Sequence, residues 1–269
     1  MTDGRRSEDV DINSTVAHAG RMYDYMLGGV TNFAVDREAC IEANRDFPGG
    51  IEGAKAGLRA NRDFLGRAVR HMAEAGIRQF LDLGTGIPSD DNTHAVALSV
   101  APDSRIVYVD NDPIVLAHAH ELLRNTPEST TAYLFNDMRD PEPILAQAAA
   151  TLDFDRPVGL VLVAILHFVT EEEDPYALVG KLVDAVPSGS YLAISHLASD
   201  IMADEMAALY DRISEQTKET FVLRSRDEVA RFFDGLDLVD PGVTLVSGWH
   251  TPDTGQVDLP IYAAVGIKP

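Results

Sequence analysis

Cysteine is nearly absent: Cys40 stands alone in 269 residues. That excludes an intramolecular disulfide and a cysteine-rich metal site, and it fits a reducing compartment. Positive charge is also scarce, with 22 Lys and Arg against 43 Asp and Glu and a formal net charge of -21. Such a chain repels polyphosphate, whereas DNA or RNA binding needs a basic face that displaces counterions. The densest basic stretch holds Arg59, Arg62, Arg67 and Arg70, but Glu52, Asp63 and Glu74 interrupt it. A small-molecule substrate is therefore expected rather than nucleic acid. Long apolar runs are missing too. The longest, Val158 to Val169, falls well short of the ~20 residues that a membrane helix needs, and the polar N-terminus has no signal-peptide core. The expectation is a cytoplasmic protein with no membrane partner, its oligomeric state left open.

What is present is an ordinary globular composition, 45% hydrophobic and 24% charged. The chain opens on helices: Thr15 to Gly29, stopped by a glycine pair; Asp36 to Phe47; and Gly53 to Ala75, where Leu58, Leu65, Val69 and Met72 form one apolar stripe. From Ile77 short apolar runs alternate with amphipathic segments. Strands are expected at Arg78 to Leu83, Arg105 to Asp110, Thr131 to Phe135, Val158 to Leu166 and Ser190 to Ser195. Helices are expected between them at Asn92 to Val100, Pro113 to Arg124, Pro141 to Leu152 and Pro175 to Val186. This alternation predicts a doubly wound α/β fold, a parallel sheet covered on both faces. Further helices follow at Asp200 to Thr217 and after Ser225, whose pairing with Glu228 has capping-box spacing. Val243 to Gly248 and Leu259 to Gly266, joined by TPDTGQVD, are expected to close the sheet as an antiparallel hairpin. Two units are expected: residues 1–75 as an N-terminal helical extension or lid, and 76–269 as the ligand-binding domain.

Three strand ends carry ligand-type residues. Asp82-Leu83-Gly84-Thr85-Gly86 ends the first, where glycines allow a tight turn and close approach of a ligand to the backbone. Asp110 ends the second, about 24 residues after Gly86, near the offset of a carboxylate that binds a ribose diol. Asn136-Asp137-Met138 follows the third, an acid beside an apolar side chain able to pack on a flat ring. Any one of these carboxylates fits a helix cap or a solvated turn equally well. Three in succession point to one ligand, because open α/β sheets bind at the carboxyl ends of their strands.

These residues, with the closing antiparallel pair, resemble class I S-adenosylmethionine-dependent methyltransferases and their Rossmann-like sheet. A narrower resemblance runs through YDYMLGG, NRDFLGRAVRHMAEAGIRQFLDLGTGIP, RIVYVDNDPIVLAHA, DMRDP, AILHFV, GSYLAISH and RSRDEVARFFDGLDLVDPG. They are similar to a bacterial family of S-adenosyl methyltransferases first catalogued as a domain of unknown function. The resemblance implies S-adenosylmethionine as cofactor. It implies Asp82, Gly84, Thr85 and Gly86 along the methionine moiety, Asp110 on the ribose with Asn111 adjacent, and Asp137 and Met138 framing the adenine. Ala164, Ile165 and the residues to His167 would lie along the sulfonium. Pro88 departs from the broad pattern, standing where many such enzymes have a third glycine.

Ser89 occupies the third-glycine position of a dinucleotide fingerprint, which weakens an NAD(P)-dependent oxidoreductase as the alternative. A second alternative is a non-catalytic binder of S-adenosylmethionine or S-adenosylhomocysteine. For turnover, His167 is the expected general base by position and His196 the next; the bland reading of either is a strand-end histidine held by hydrogen bonds. AILHFV lacks the Asn-Pro-Pro-Tyr type signature of many amino-group methyltransferases. His118 and His120 diverge on their helix, so no metal site is expected. Arg21-Met22-Tyr23-Asp24-Tyr25 and the glycine pair suit a lid, with Arg21 or Tyr25 reaching the cofactor's carboxylate; static packing on the sheet is the other reading.

Overall fold

A computed structural model describes residues 14–87, 92–115, 117–118, 130–251 and 259–269. Pro88, Ser89, His120, the end of the helix expected at Pro113 to Arg124, and most of the TPDTGQVD connection lie outside the described residues.

Three helices precede the sheet: α1 (Ala19–Met26), α2 (Ala34–Ala43) and α3 (Gly50–Glu74). Each begins or ends where the residues dictate. The His18 side chain accepts the Gly20 amide and caps α1, and Gly49 takes a left-handed φ of 76° to turn the chain into α3. Then come β1 (Gln79–Leu83), α4 (Thr93–Val100), β2 (Arg105–Asp110), β3 (Thr131–Phe135), α5 (Pro141–Ala148) and β4 (Gly159–Val163). After β4 follow α6 (Pro175–Asp184), β5 (Tyr191–Leu197), α7 (Ala203–Thr217), α8 (Arg226–Arg231), β6 (Asp237–Leu238), β7 (Thr244–Leu245) and β8 (Ile261–Ile267).

The sheet order is β3-β2-β1-β4-β5-β8-β6, with β7 also paired to β8. The first five strands are parallel, and β8 runs antiparallel to β5, β6 and β7. The closing antiparallel element is thus present, though β8 spends its full length on β5 and only two residues on β7. The expected fourth strand is cut short: after Val163 the chain leaves the sheet and forms a 3-10 turn at Leu166–Phe168. Ala164 is the reason, since its φ of +57° is incompatible with an extended strand.

Two hydrophobic clusters cover the two faces. On one, Phe64, Val69 and Met72 of α3 pack with Phe80, Ile106 and Ala193 of the sheet. On the other, Ile144, Leu178 and Val229 of α5, α6 and α8 pack with Leu81, Leu160 and Ile194. The helices before residue 76 therefore share a core with the sheet. Sequential strands β1 to β3 wind one way from the middle and β4 and β5 the other, so the strand order reverses between β1 and β4. Ligands of open α/β sheets lie at that reversal.

Candidate active site

A cavity of about 1040 Å³ opens at the carboxyl ends of β1, β2, β3 and β4, roofed by α1 and the segment after α7. It sits at the upper end of the ~300–1,000 Å³ typical of small-molecule sites, room enough for two ligands.

The turn after β1 forms its floor. Gly84 has a φ of +76°, and a Cβ there would come within 2.4 Å of the Ile165 side chain, so only glycine lets the β1 and β4 loops approach. Gly86, at φ +65°, donates its amide to Asp110 Oδ2 at 2.8 Å, while the Asp112 amide donates to Oδ1 at 2.9 Å. Asp110 is thereby fixed in orientation before any ligand arrives; burial nonetheless raises its carboxyl above the usual range. Deeper in, Asp82 is 5% exposed and accepts from the Thr93 hydroxyl at 2.6 Å. Burial raises Asp82 to about 6, against the lowering influence of Thr93 and of the Arg62 charge.

Beyond β2 and β3, Asn111 Nδ2 donates to Asp137 Oδ2 at 3.2 Å, and Met138 is buried against the same space. Arg139 clamps this edge to the turn after β4, donating to Glu173 at 2.7 Å, to Asp137 at 3.2 Å and to the Phe168 carbonyl at 2.6 Å. Ala164 carries the left-handed strain noted above, and its amide is held by the Ser195 hydroxyl at 3.0 Å. Strain retained at such a position is characteristic of ligand sites.

The structure thus brings Asp82, Gly84, Thr85, Gly86, Asp110, Asn111, Asp137, Met138, Ala164, Ile165 and His167 to one cavity. Arg21 and Tyr25 are not among its lining residues. They stand four apart on α1 and share the face turned from the cavity that Met22, Tyr23 and Met26 line. Arg21 is 3% exposed, its Nε 2.8 Å from the fully buried Asp36 and its Nη2 bonded to the Val16 carbonyl at 2.6 Å; Tyr25 packs under the Lys55 ammonium. The structure brings neither of them to the cavity with the other expected cofactor residues: Arg21 fastens α1 to α2.

Arg62 and Arg139 line the cavity and had passed unnoticed as site residues. Arg62, on α3, donates to Asn92 beside Asp82. Its 30-residue separation from Asn92 gives no sequence signal, because only the fold sets α3 alongside α4. Arg67 instead bonds the carbonyls of Val246 and Trp249, so the four arginines of α3 do not form one basic face.

His167 is 6% exposed, and its Nδ1 is buried without a hydrogen-bond partner. Burial, with His196 and Arg224 close by, holds its imidazole well below the usual range. His196 is fully buried and pushed down to about 3 by the same desolvation. It bonds the Leu197 carbonyl through Nδ1 and Arg224 Nη1, at 2.8 Å, through Nε2, so it is a structural histidine. Arg224 also bonds the carbonyls of Leu166 and Val169 and the Glu171 carboxylate. With the Val222 amide on the His167 carbonyl and Arg139 on that of Phe168, every carbonyl of the turn bearing His167 is held from outside. Among the described residues no group of His, Cys, Asp and Glu is arranged to hold a metal, and no helix is long and apolar enough to cross a membrane.

Comparison with known proteins adds to this geometry. The sequence model of a family described as S-adenosyl methyltransferase matches residues 5–269. A DUF574-family protein from Streptomyces avermitilis is 44% identical, with a TM-score of 0.89 over 95% of this chain and 99% of its own. A candidate methyltransferase from Thermobifida fusca is 38% identical, with a TM-score of 0.86 over 96% of both chains. More distantly, an O-methyltransferase of neocarzinostatin biosynthesis, solved with S-adenosyl-L-homocysteine and 1,4-dihydroxy-2-naphthoic acid, shares the fold at 15% identity and a TM-score of 0.51, over 81% of this chain and 57% of its own. No curated protein matches the chain.

Proposed function

The chain belongs to the S-adenosyl methyltransferase family, and from that premise we propose that it transfers a methyl group from S-adenosylmethionine to a small-molecule acceptor. The observation that carries the reading is the Asp110 carboxylate, fixed by the Gly86 and Asp112 amides at the carboxyl end of β2. Its oxygens are set to accept two hydroxyls of a ribose. The residues fit the cofactor elsewhere as well: the backbone at Gly86 stands open, with nothing within 4 Å of where a Cβ would lie, and Met138 offers an apolar surface to a purine. Asp82 would take the ammonium of the methionine moiety and Arg62 its carboxylate.

When bound, the cofactor supplies an electrophilic methyl group. The protein's part is alignment and exclusion of water. Ala164, Ile165 and the clamped turn to His167 form a fixed wall beside the transfer point. The segment from Met22 to Thr31 covers the opposite side and acts as the lid, hinged at Gly28, whose φ is +88°. His167 is a neutral imidazole positioned to accept a proton from the acceptor.

The test is transfer of labelled methyl from S-adenosylmethionine into the low-mass fraction of a cell extract. Label in a small molecule supports the reading. A protein that binds the cofactor and labels nothing, with extracts in which a control methyltransferase succeeds, is instead a non-catalytic binder.

A further inference from the structure

Past Ile165 the cavity changes character. Its wall becomes aromatic: the Phe221 ring stacks on His167, with centroids 5.5 Å apart and planes 20° from parallel. Phe168 and Tyr210 lie 4.8 Å and 5.2 Å from the same ring. Leu209 and Ile213 of α7 line the remainder. A flat apolar molecule has here a face to stack on, and the held carbonyls of residues 166–169 keep that face in place.

Charge narrows the occupant further. Among the described residues the cavity has two guanidiniums, and both already face acids: Arg62 stands beside Asp82, and Arg139, which also holds the Phe168 carbonyl of the wall, pairs with Asp137 and Glu173. An anionic acceptor would have to compete with these acids, and with Glu171 on the buried Arg224, for a guanidinium. Behind His196 the buried Arg224 cation further disfavours a positively charged acceptor. To this wall His167 brings an imidazole and Tyr210 a hydroxyl.

Resting on the methyltransferase reading, we infer that the acceptor is an uncharged planar aromatic alcohol, stacked on the wall of His167, Phe168 and Phe221 with its hydroxyl turned to His167. The acceptor's oxygen forms a bond to the methyl carbon as the carbon–sulfur bond breaks, leaving a thioether, and the hydroxyl proton passes to the His167 imidazole and then to water. Even a weakly basic imidazole suffices, because the hydroxyl becomes strongly acidic as its oxygen takes up the methyl group.

Calorimetry on the whole protein tests this in two stages. S-adenosylhomocysteine is titrated first; absence of binding overturns the methyltransferase reading and the inference with it. The loaded protein is then titrated with 1-naphthol, 1-naphthoate and 1-naphthylmethylammonium, which share a ring system and differ in charge. Naphthol is expected to bind at least about tenfold more tightly than either ion, and Phe221→Ala to weaken naphthol about tenfold with S-adenosylhomocysteine affinity unchanged. In a protein that binds S-adenosylhomocysteine, equal affinities, preference for an ion, or no naphthol binding would overturn the inference alone, whatever becomes of the variant.

Discussion

The Gly86 amide donates to the Asp110 carboxylate at 2.8 Å, joining the turn after β1 to the end of β2. The bond holds the acid in one orientation and braces the glycine turn. On the role proposed for Asp110, Asp110→Ala removes both the ribose acceptor and the brace. Loss of a charge-assisted hydrogen bond is worth about 1.5–3 kcal/mol, so S-adenosylhomocysteine affinity is expected to fall roughly tenfold to a hundredfold. Calorimetry on the variant, with circular dichroism to confirm its fold, measures this.

The role proposed for Asp82 makes cofactor binding sensitive to acid. Its carboxyl is raised to about 6 in the free protein. Below that value it is protonated and has no charge to offer an ammonium, so affinity for S-adenosylmethionine is expected to fall by up to about tenfold per pH unit below 6 and to level off above 7. The same shift stabilises the free fold at low pH, an advantage lost as pH rises through 6. A binding profile that is flat from pH 5 to 8 would contradict the role given to Asp82.

His196 acts in the opposite sense. Its folded value, pushed down to about 3, lies below that of the unfolded chain, near 6.5, so the unfolded state takes up a proton that the folded state refuses. Stability is expected to fall with acid from about pH 6.5 by up to ~1.4 kcal/mol per unit for this residue. Asp82 offsets part of that between about pH 4 and 6. Urea unfolding of wild type and His196→Gln isolates the histidine, and the variant is expected to show the shallower loss between pH 6.5 and 5.

The sequence made the sheet and the cavity residues at the ends of β1, β2 and β3 legible because both rest on local signals. Apolar runs of strand length, glycines after β1 and acids ending β2 and β3 keep their meaning without tertiary context. The other half depends on residues brought together from afar. Arg224 reads as an ordinary polar residue before a helix, yet it meets His196, Leu166 and Glu171 only through the pairing of β4 with β5. Arg21 misled for a related reason: its charge suggested a ligand contact, whereas burial beside Asp36 turned it into a brace. The short β6 has too few residues to show a period.

The α1 segment supplies a dynamic prediction. Met22, Tyr23, Met26 and Leu27 line the cavity, while Val30 is 93% exposed just past the glycine pair. Amides from Met22 to Asn32 are expected to gain protection from hydrogen exchange when S-adenosylhomocysteine binds. Equal protection in free and bound protein would make the segment static packing.

The central claim is that the cavity at the ends of β1, β2 and β3 is built for S-adenosylmethionine. Calorimetry with S-adenosylhomocysteine and NAD in parallel tests it most directly. One S-adenosylhomocysteine per chain and no NAD is the predicted result; binding of NAD with none of S-adenosylhomocysteine or S-adenosylmethionine would contradict it.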